Sequence, residues 1–156
     1  VGTGVDITRF PHNQRIVGID ISAEMLRRAE DRRQAYPGEL AFVRGDLERL
    51  AFGDASFDTI VSSCTMCSVP HPANALRELF RVLRPGGRLL MFEHVRSRSW
   101  SLGLALDVMS LWTRLLGTAM NRDTVANVLT AGFTIVRIES VYLDIILSVH
   151  AEKPLT

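Results

Sequence analysis

Lysine is almost missing from this chain: Lys153 is the only one, and arginine makes up the rest of the 18 basic residues. Against 17 acidic residues the net charge is +1. Such a balance sets up no field that would draw the chain to nucleic acid or to an anionic membrane. The arginines are scattered; Arg96 and Arg98 stand close together, but two charges do not make a patch. Cysteine is scarce as well. Cys64 and Cys67 are too few for a disulfide framework, and they suit a reducing, cytoplasmic setting. No leader pattern of charged, apolar and small residues opens the chain. No apolar run reaches the ~20 residues of a bilayer span. The nearest, over 102–116, is interrupted by Asp107 and Arg114. There is no internal repeat and no low-complexity segment.

What is present is an alternation of apolar runs and helical patterns over 156 residues, enough for one domain with a sizeable core. The run 15–20 reads as a buried strand ending in an acid, Asp20. Ser22 then caps a helix with Glu24 in its first turn, running to about Tyr36 and stopping at Pro37-Gly38. Strands follow at 40–43 and 59–61. Pro72 suits the first position of a helix whose Leu76, Leu79, Phe80 and Leu83 share a face, and Pro85-Gly86-Gly87 stops it before a strand at 88–92. A long apolar helix is expected over 101–116. A second starts at Asn121, turns Val125, Val128 and Leu129 inward and ends at Gly132. Two β-rich runs, 133–142 and 145–151, make a hairpin around Leu143-Asp144. The pattern implies an α/β fold, a mostly parallel sheet with helices on both faces and an antiparallel hairpin at its end.

Val1-Gly2-Thr3-Gly4 is a glycine turn with no strand before it. Such turns follow a central strand where the strand order reverses. The expectation is therefore a single domain over 1–156 whose first central strand is missing from this chain.

Four strings carry chemistry. Gly2-Thr3-Gly4 lets backbone approach a ligand, or merely punctuates a loop. Asp20, at a strand end, can accept from both hydroxyls of a ribose; as a helix cap it is less well placed than Ser22. Ile21 would flank an adenine, and Met25, one turn on, either joins it or fills core. Asp46, in Gly45-Asp46-Leu47, can accept from an adenine amino group while the Leu47 amide donates to the ring; Gly-Asp is also a common turn. The fourth string, 83–90 with Arg84-Pro85-Gly86-Gly87, holds no reactive group but is the most family-specific.

With Val17-Gly18-Ile19-Asp20-Ile21-Ser22, Met25-Leu26, Gly45-Asp46 and Ser56-Phe57-Asp58 in that order, the chain resembles the class I S-adenosylmethionine-dependent methyltransferases, of the methyltransferase type 11 kind. The resemblance implies a Rossmann-like sheet and S-adenosylmethionine as cofactor. It implies cofactor binding by Gly2, Thr3, Gly4, Asp20, Ile21, Met25, Gly45, Asp46 and Leu47, with Ser63 and Cys64 beside the methionine end. The family's first motif also has an acid and a further glycine just before the stretch seen here. Two further strings, 64–69 and Phe92-Glu93-His94-Val95, look like the methyltransferase-like 7 thiol methyltransferases, and somewhat like phospholipid N-methyltransferases and ubiquinone/menaquinone C-methyltransferases. Asn121-Arg122 and Ala131-Gly132-Phe133 fit the same group.

Cys64-x-x-Cys67 is half a zinc site, and no spacing recruits His71 or His94 to complete it, so no metal is expected. As a redox pair it lacks a helix N-terminus to activate it. Buried apolar thiols are the plain alternative, with Cys67 lining a substrate pocket in the family reading. His94 can contact substrate or act as a base, or simply pack. His12 and His150 have no chemical context, and His71 reads as a loop residue. Trp100 and the helix after it would give an apolar lid over an acceptor; a core helix and a shallow membrane contact are the other readings. The implied partner is a small, lipophilic methyl acceptor: a thiol, an amine, or a quinone-like carbon or oxygen. The alternative is a noncatalytic methyltransferase-fold subunit acting through protein association, for example as a strand-exchanged homodimer. A nicotinamide oxidoreductase would need Gly-x-Gly-x-x-Gly, and Ile7 stands where the third glycine belongs.

Overall fold

A computed structural model of the chain describes residues 1–95, 97, 100, 104, 108–109, 123–143 and 145–155. The chain divides into two compact units, Val1–Ala51 and Phe52–Thr156.

In the first unit, β1 (Arg15–Asp20) and β2 (Glu39–Arg44) pair in parallel, from Arg15 opposite Glu39 to Asp20 opposite Arg44. Their carboxyl ends are therefore level. Helix α1 (Ala23–Glu30) connects them, its first turn capped by the Ser22 hydroxyl accepting from the Met25 amide. The helix stops six residues short of the expected Tyr36. Ala29 is its only buried residue and 31–35 are all exposed, so no apolar stripe carries it further. Tyr36 instead turns into the core with Ile7 and Leu40, against Phe10, Ile16 and Phe42. Its hydroxyl donates to the Pro11 carbonyl.

In the second unit, β3 (Phe57–Ser63) and β4 (Leu83–His94) pair in parallel around helix α2 (Pro72–Val82). Helix α3 (Thr124–Thr130) leads into β5 (Thr134–Tyr142) and β6 (Ile146–Glu152). The sheet order is β3-β4-β6-β5. The last strand is thus inserted between β4 and β5, antiparallel to both. Among the described residues the strands form two sheets, and none pairs with both β1 and β3.

Several expectations shift. Helix α2 buries Pro72, Ala75, Leu76, Leu79 and Val82 and ends at Val82; Leu83 already begins β4. Pro85-Gly86-Gly87 is not a loose turn. The Gly86 amide donates to the Lys153 carbonyl, and the Lys153 amide to Gly87. The cap of α3 is Asp123, which accepts from the Ala126 amide, while Asn121 lies outside the described residues. Val128 is buried and Val125 half-buried, but Leu129 faces solvent, because a seven-residue helix presents a narrow face. Asp144 and most of 101–116 also lie outside the described residues; Trp100, Leu104 and Met109 are exposed. No described helix is long and apolar enough to cross a membrane.

The single lysine has a structural role. Its ammonium donates to the Phe80 and Leu83 carbonyls at 2.8 Å each and lies 4.6 Å from the Phe80 ring centre. It satisfies carbonyls left open at the end of α2. Lys153→Met is expected to cost about 2 kcal/mol of stability, read by urea denaturation, since the carbonyls lose a charged donor. An unchanged midpoint would contradict that role.

Candidate functional site

Parallel pairing in the first unit brings two strand ends to one rim. The Gly45 amide donates to the Asp20 carbonyl at 3.0 Å, tying the ends together. Asp20 is half-buried. Its Oδ1 accepts from the Ser22 amide at 2.9 Å and its Oδ2 from the Gly2 amide at 2.8 Å. The carboxylate therefore organises both the start of α1 and the glycine turn. The Val1 ammonium also lies 3.6 Å from Oδ2. Of the about four acceptor sites of a carboxylate, the two backbone donors and this ion pair leave part open. That matches what a ribose diol requires.

The glycine turn is backbone-specific. Gly2 and Gly4 have φ of +54° and +75°. A Cβ on Gly4 would lie 2.6 Å from Ile7 Cδ1 and 3.2 Å from the Ala29 backbone, so only glycine fits under α1. Beside Asp20, Ile21 and Met25 are exposed. Two apolar side chains in solvent next to a half-buried acid suit a flat apolar ring rather than a core, and for Met25 the core-filling reading does not hold. The Arg44 guanidinium donates to the Ile21 carbonyl at 3.1 Å and fixes that segment.

Asp46 is exposed and shows the turn chemistry: its Oδ1 accepts from the Glu48 amide at 2.9 Å, and its carbonyl from Arg49 at 3.1 Å. The Leu47 amide has no protein acceptor among the described residues. Asp46 and Leu47 thus offer an acceptor and a donor side by side.

The second unit has its own rim. Ser63 ends β3, and Cys64 follows with φ of +48°, its amide donating to the Phe92 carbonyl at 2.8 Å. Cys64 is exposed and Cys67 half-buried, so neither is the fully buried thiol considered from sequence. The Cys64 Sγ lies 3.7 Å from Nδ1 of the half-buried His94. Trp100 is 83% exposed, which does not fit a core position. Among the described residues no cluster could hold a metal ion.

The residue that sequence reasoning passed over is Glu93. It is completely buried. Its Oε1 accepts from the Ser62 hydroxyl at 2.8 Å and the Thr65 amide at 3.0 Å, and its Oε2 from the Met66 amide at 3.2 Å. Burial pushes its carboxyl above the usual glutamate range, and the three donors oppose that. Glu93 clamps the loop that carries the thiols. A signal was available: Leu89, Met91 and Glu93 alternate onto one buried face, so an acid continues the core side of a strand.

Comparison with known proteins places this arrangement. Residues 1–91 match the family described as methyltransferase domain. The ubiquinone/menaquinone biosynthesis C-methyltransferase UbiE of Pseudomonas savastanoi pv. phaseolicola is 35% identical over 131 residues, covering 79% of this chain and 51% of that protein. The chain thus spans about half the length of the curated relatives it matches. A solved structure of a SAM-dependent methyltransferase from Methanosarcina mazei superposes with a TM-score of 0.76 at 22% identity, covering 99% of this chain and 90% of that one. The [4+2]-cyclase SpnF superposes with a TM-score of 0.75 at 19% identity, covering 91% of this chain and 67% of that one. At those identities the structural likeness is one of fold: the Rossmann-like class I methyltransferase fold. With the family match running through the glycine turn, Asp20 and Asp46 and into β4, the chain belongs to the methyltransferase-domain family of class I S-adenosylmethionine-dependent methyltransferases.

Proposed function

We propose that the protein transfers a methyl group from S-adenosylmethionine to a ring carbon of a small, lipophilic quinol-type acceptor. One domain is proposed for both units, since the family match runs unbroken across residue 51. The observation that carries the cofactor reading is Asp20, with one backbone donor on each oxygen and exposed Ile21 and Met25 beside it. Asp20 holds the ribose hydroxyls, and Ile21 and Met25 flank the adenine. Asp46 and the Leu47 amide read the adenine edge beyond Gly45. The Gly2-Thr3-Gly4 backbone lies under the cofactor; the resemblance to the family assigns Ser63 and Cys64 to its methionine end. The ring-carbon acceptor rests on the C-methyltransferase relatives. Cys67, His94 and Trp100 serve the acceptor.

When bound, S-adenosylmethionine supplies an electrophilic methyl group on a positive sulfur. The residues of the chain therefore have mainly to hold and orient, which can supply ~7–11 kcal/mol. A phenolic ring carbon becomes nucleophilic once its hydroxyl is deprotonated, and His94 can take that proton. The fold by itself does not dictate methyl transfer, since SpnF, named a [4+2]-cyclase, shares it. The test is incubation of the full-length protein with methyl-labelled S-adenosylmethionine and a prenylated quinol, a thiol and an amine in parallel. Label on a ring carbon is expected. Label on the thiol or amine alone overturns the acceptor, and binding without transfer to any of them favours a noncatalytic subunit.

A further inference from the structure

The two cysteines are arranged for chemistry of their own. Cys64 follows β3 and is exposed, its Sγ 3.7 Å from a His94 ring nitrogen. The Ser68 amide donates to the Thr65 carbonyl at 3.0 Å, closing a turn just beyond Cys64. That turn brings the Cys67 Sγ to 3.3 Å from the Cys64 carbonyl oxygen. Glu93 pins Thr65 and Met66, the two residues between the cysteines, from the buried side. The clamp leaves the cysteines at the two ends of a four-residue loop, with the Cys67 Sγ already turned toward the Cys64 backbone.

We propose that Cys64 and Cys67 form a thiol–disulfide couple, with His94 as the proton acceptor for Cys64 and a low-molecular-weight disulfide such as oxidised glutathione as the oxidant. His94 takes the proton from Cys64, and the thiolate attacks one sulfur of oxidised glutathione. The glutathione S–S bond breaks, one glutathione leaves as a thiolate and is protonated, and Cys64 carries the other as a mixed disulfide. Cys67, losing its proton, then attacks the Cys64 sulfur and expels the second glutathione. Two protein thiols are oxidised to one disulfide and one oxidised glutathione is reduced to two thiols. Closure removes the S–H that Cys67 donates to the Cys64 carbonyl. The couple depends on this loop geometry and not on methyl transfer.

The test treats the full-length protein with excess oxidised glutathione, quenches with acid and maps the products by peptide mass. These are the two cysteines of the sequence, so each product is assignable. Loss of two hydrogens within the 64–67 peptide is expected for the native protein. Cys67→Ser is expected to stop at a glutathione adduct on Cys64, and Cys64→Ser to form its adduct ~10-fold more slowly, as a thiol without an activating base does. Combining His94→Asn with Cys67→Ser is expected to slow the Cys64 adduct by a similar ~10-fold. A native protein that keeps a stable glutathione adduct, or equal adduct rates for the two single cysteine variants, overturns the couple. That comparison of single variants needs no change at His94 and stands even if the His94 variant does not fold. Because sulfur mass is read, a failure here is distinct from a failure to transfer methyl.

Discussion

Asp20→Ala is expected to weaken S-adenosylmethionine binding by ~100-fold or more, equivalent to about 3 kcal/mol. Two causes add. The ribose hydroxyls lose a charged acceptor, and hydrogen bonds to charged groups contribute about 1.5–3 kcal/mol each. The Gly2 and Ser22 amides also lose the carboxylate that organises them, so the glycine turn and the start of α1 are no longer fixed relative to each other. Asp20→Asn separates the two. It retains one oxygen but offers an amide group to the other donor, and it is expected to fall between the native protein and the alanine variant. Calorimetric titration of the three proteins, each first shown to be folded, decides the matter. Equal affinity for native and alanine proteins would remove Asp20 from the site.

Glu93→Ala is expected to destabilise the protein by about 3–5 kcal/mol, because it leaves the donors on Ser62, Thr65 and Met66 without an acceptor and empties part of a fully buried position. Glu93→Gln keeps the shape but turns an N–H toward one of those donors, so its loss is smaller. The native carboxyl should also leave a signature in pH. Its folded value is raised, chiefly by burial. A raised carboxyl binds its proton more tightly in the folded state than in the unfolded one. The stability this contributes is fully present below the ordinary glutamate range and is lost as pH rises through the folded value. Urea denaturation across that window should show the native protein losing stability with rising pH relative to Glu93→Gln. A difference independent of pH would show that Glu93 does not titrate in the fold, and an alanine variant as stable as the native protein would refute the clamp.

These residues differ in how far sequence could reveal them. β1, its terminal acid and the Ser22 cap were legible because all three signals are local: an apolar run, an acid where it ends, and a hydroxyl before the helix. Asp46 was legible as a strand-end acid, and the structure adds that it also makes the ordinary turn bond to Glu48. The hairpin was legible, but not which of its strands meets β4, since that pairing joins segments more than fifty residues apart. Pro85-Gly86-Gly87 read as a stop for α2, yet its backbone is held by Lys153 far along the chain. Glu93 was passed over because its neighbours in sequence, Phe92 and His94, drew attention to the strand end. Its partners on Ser62, Thr65 and Met66 come from another strand and loop. Burial is one of the readings the sequence leaves open for the thiols; Cys64 is exposed and Cys67 half-buried, beside a left-handed turn at Cys64 that composition does not reveal.

The strand ends of the first unit are proposed to hold S-adenosylmethionine. The most direct measurement is an amide nuclear magnetic resonance titration of the full-length protein with S-adenosylmethionine, reading residues 1–51. Saturable shifts are predicted for the Gly2, Ser22 and Leu47 amides, the first two reporting through Asp20 and the third gaining an acceptor. Saturation of the protein with those three amides unmoved would place the cofactor elsewhere.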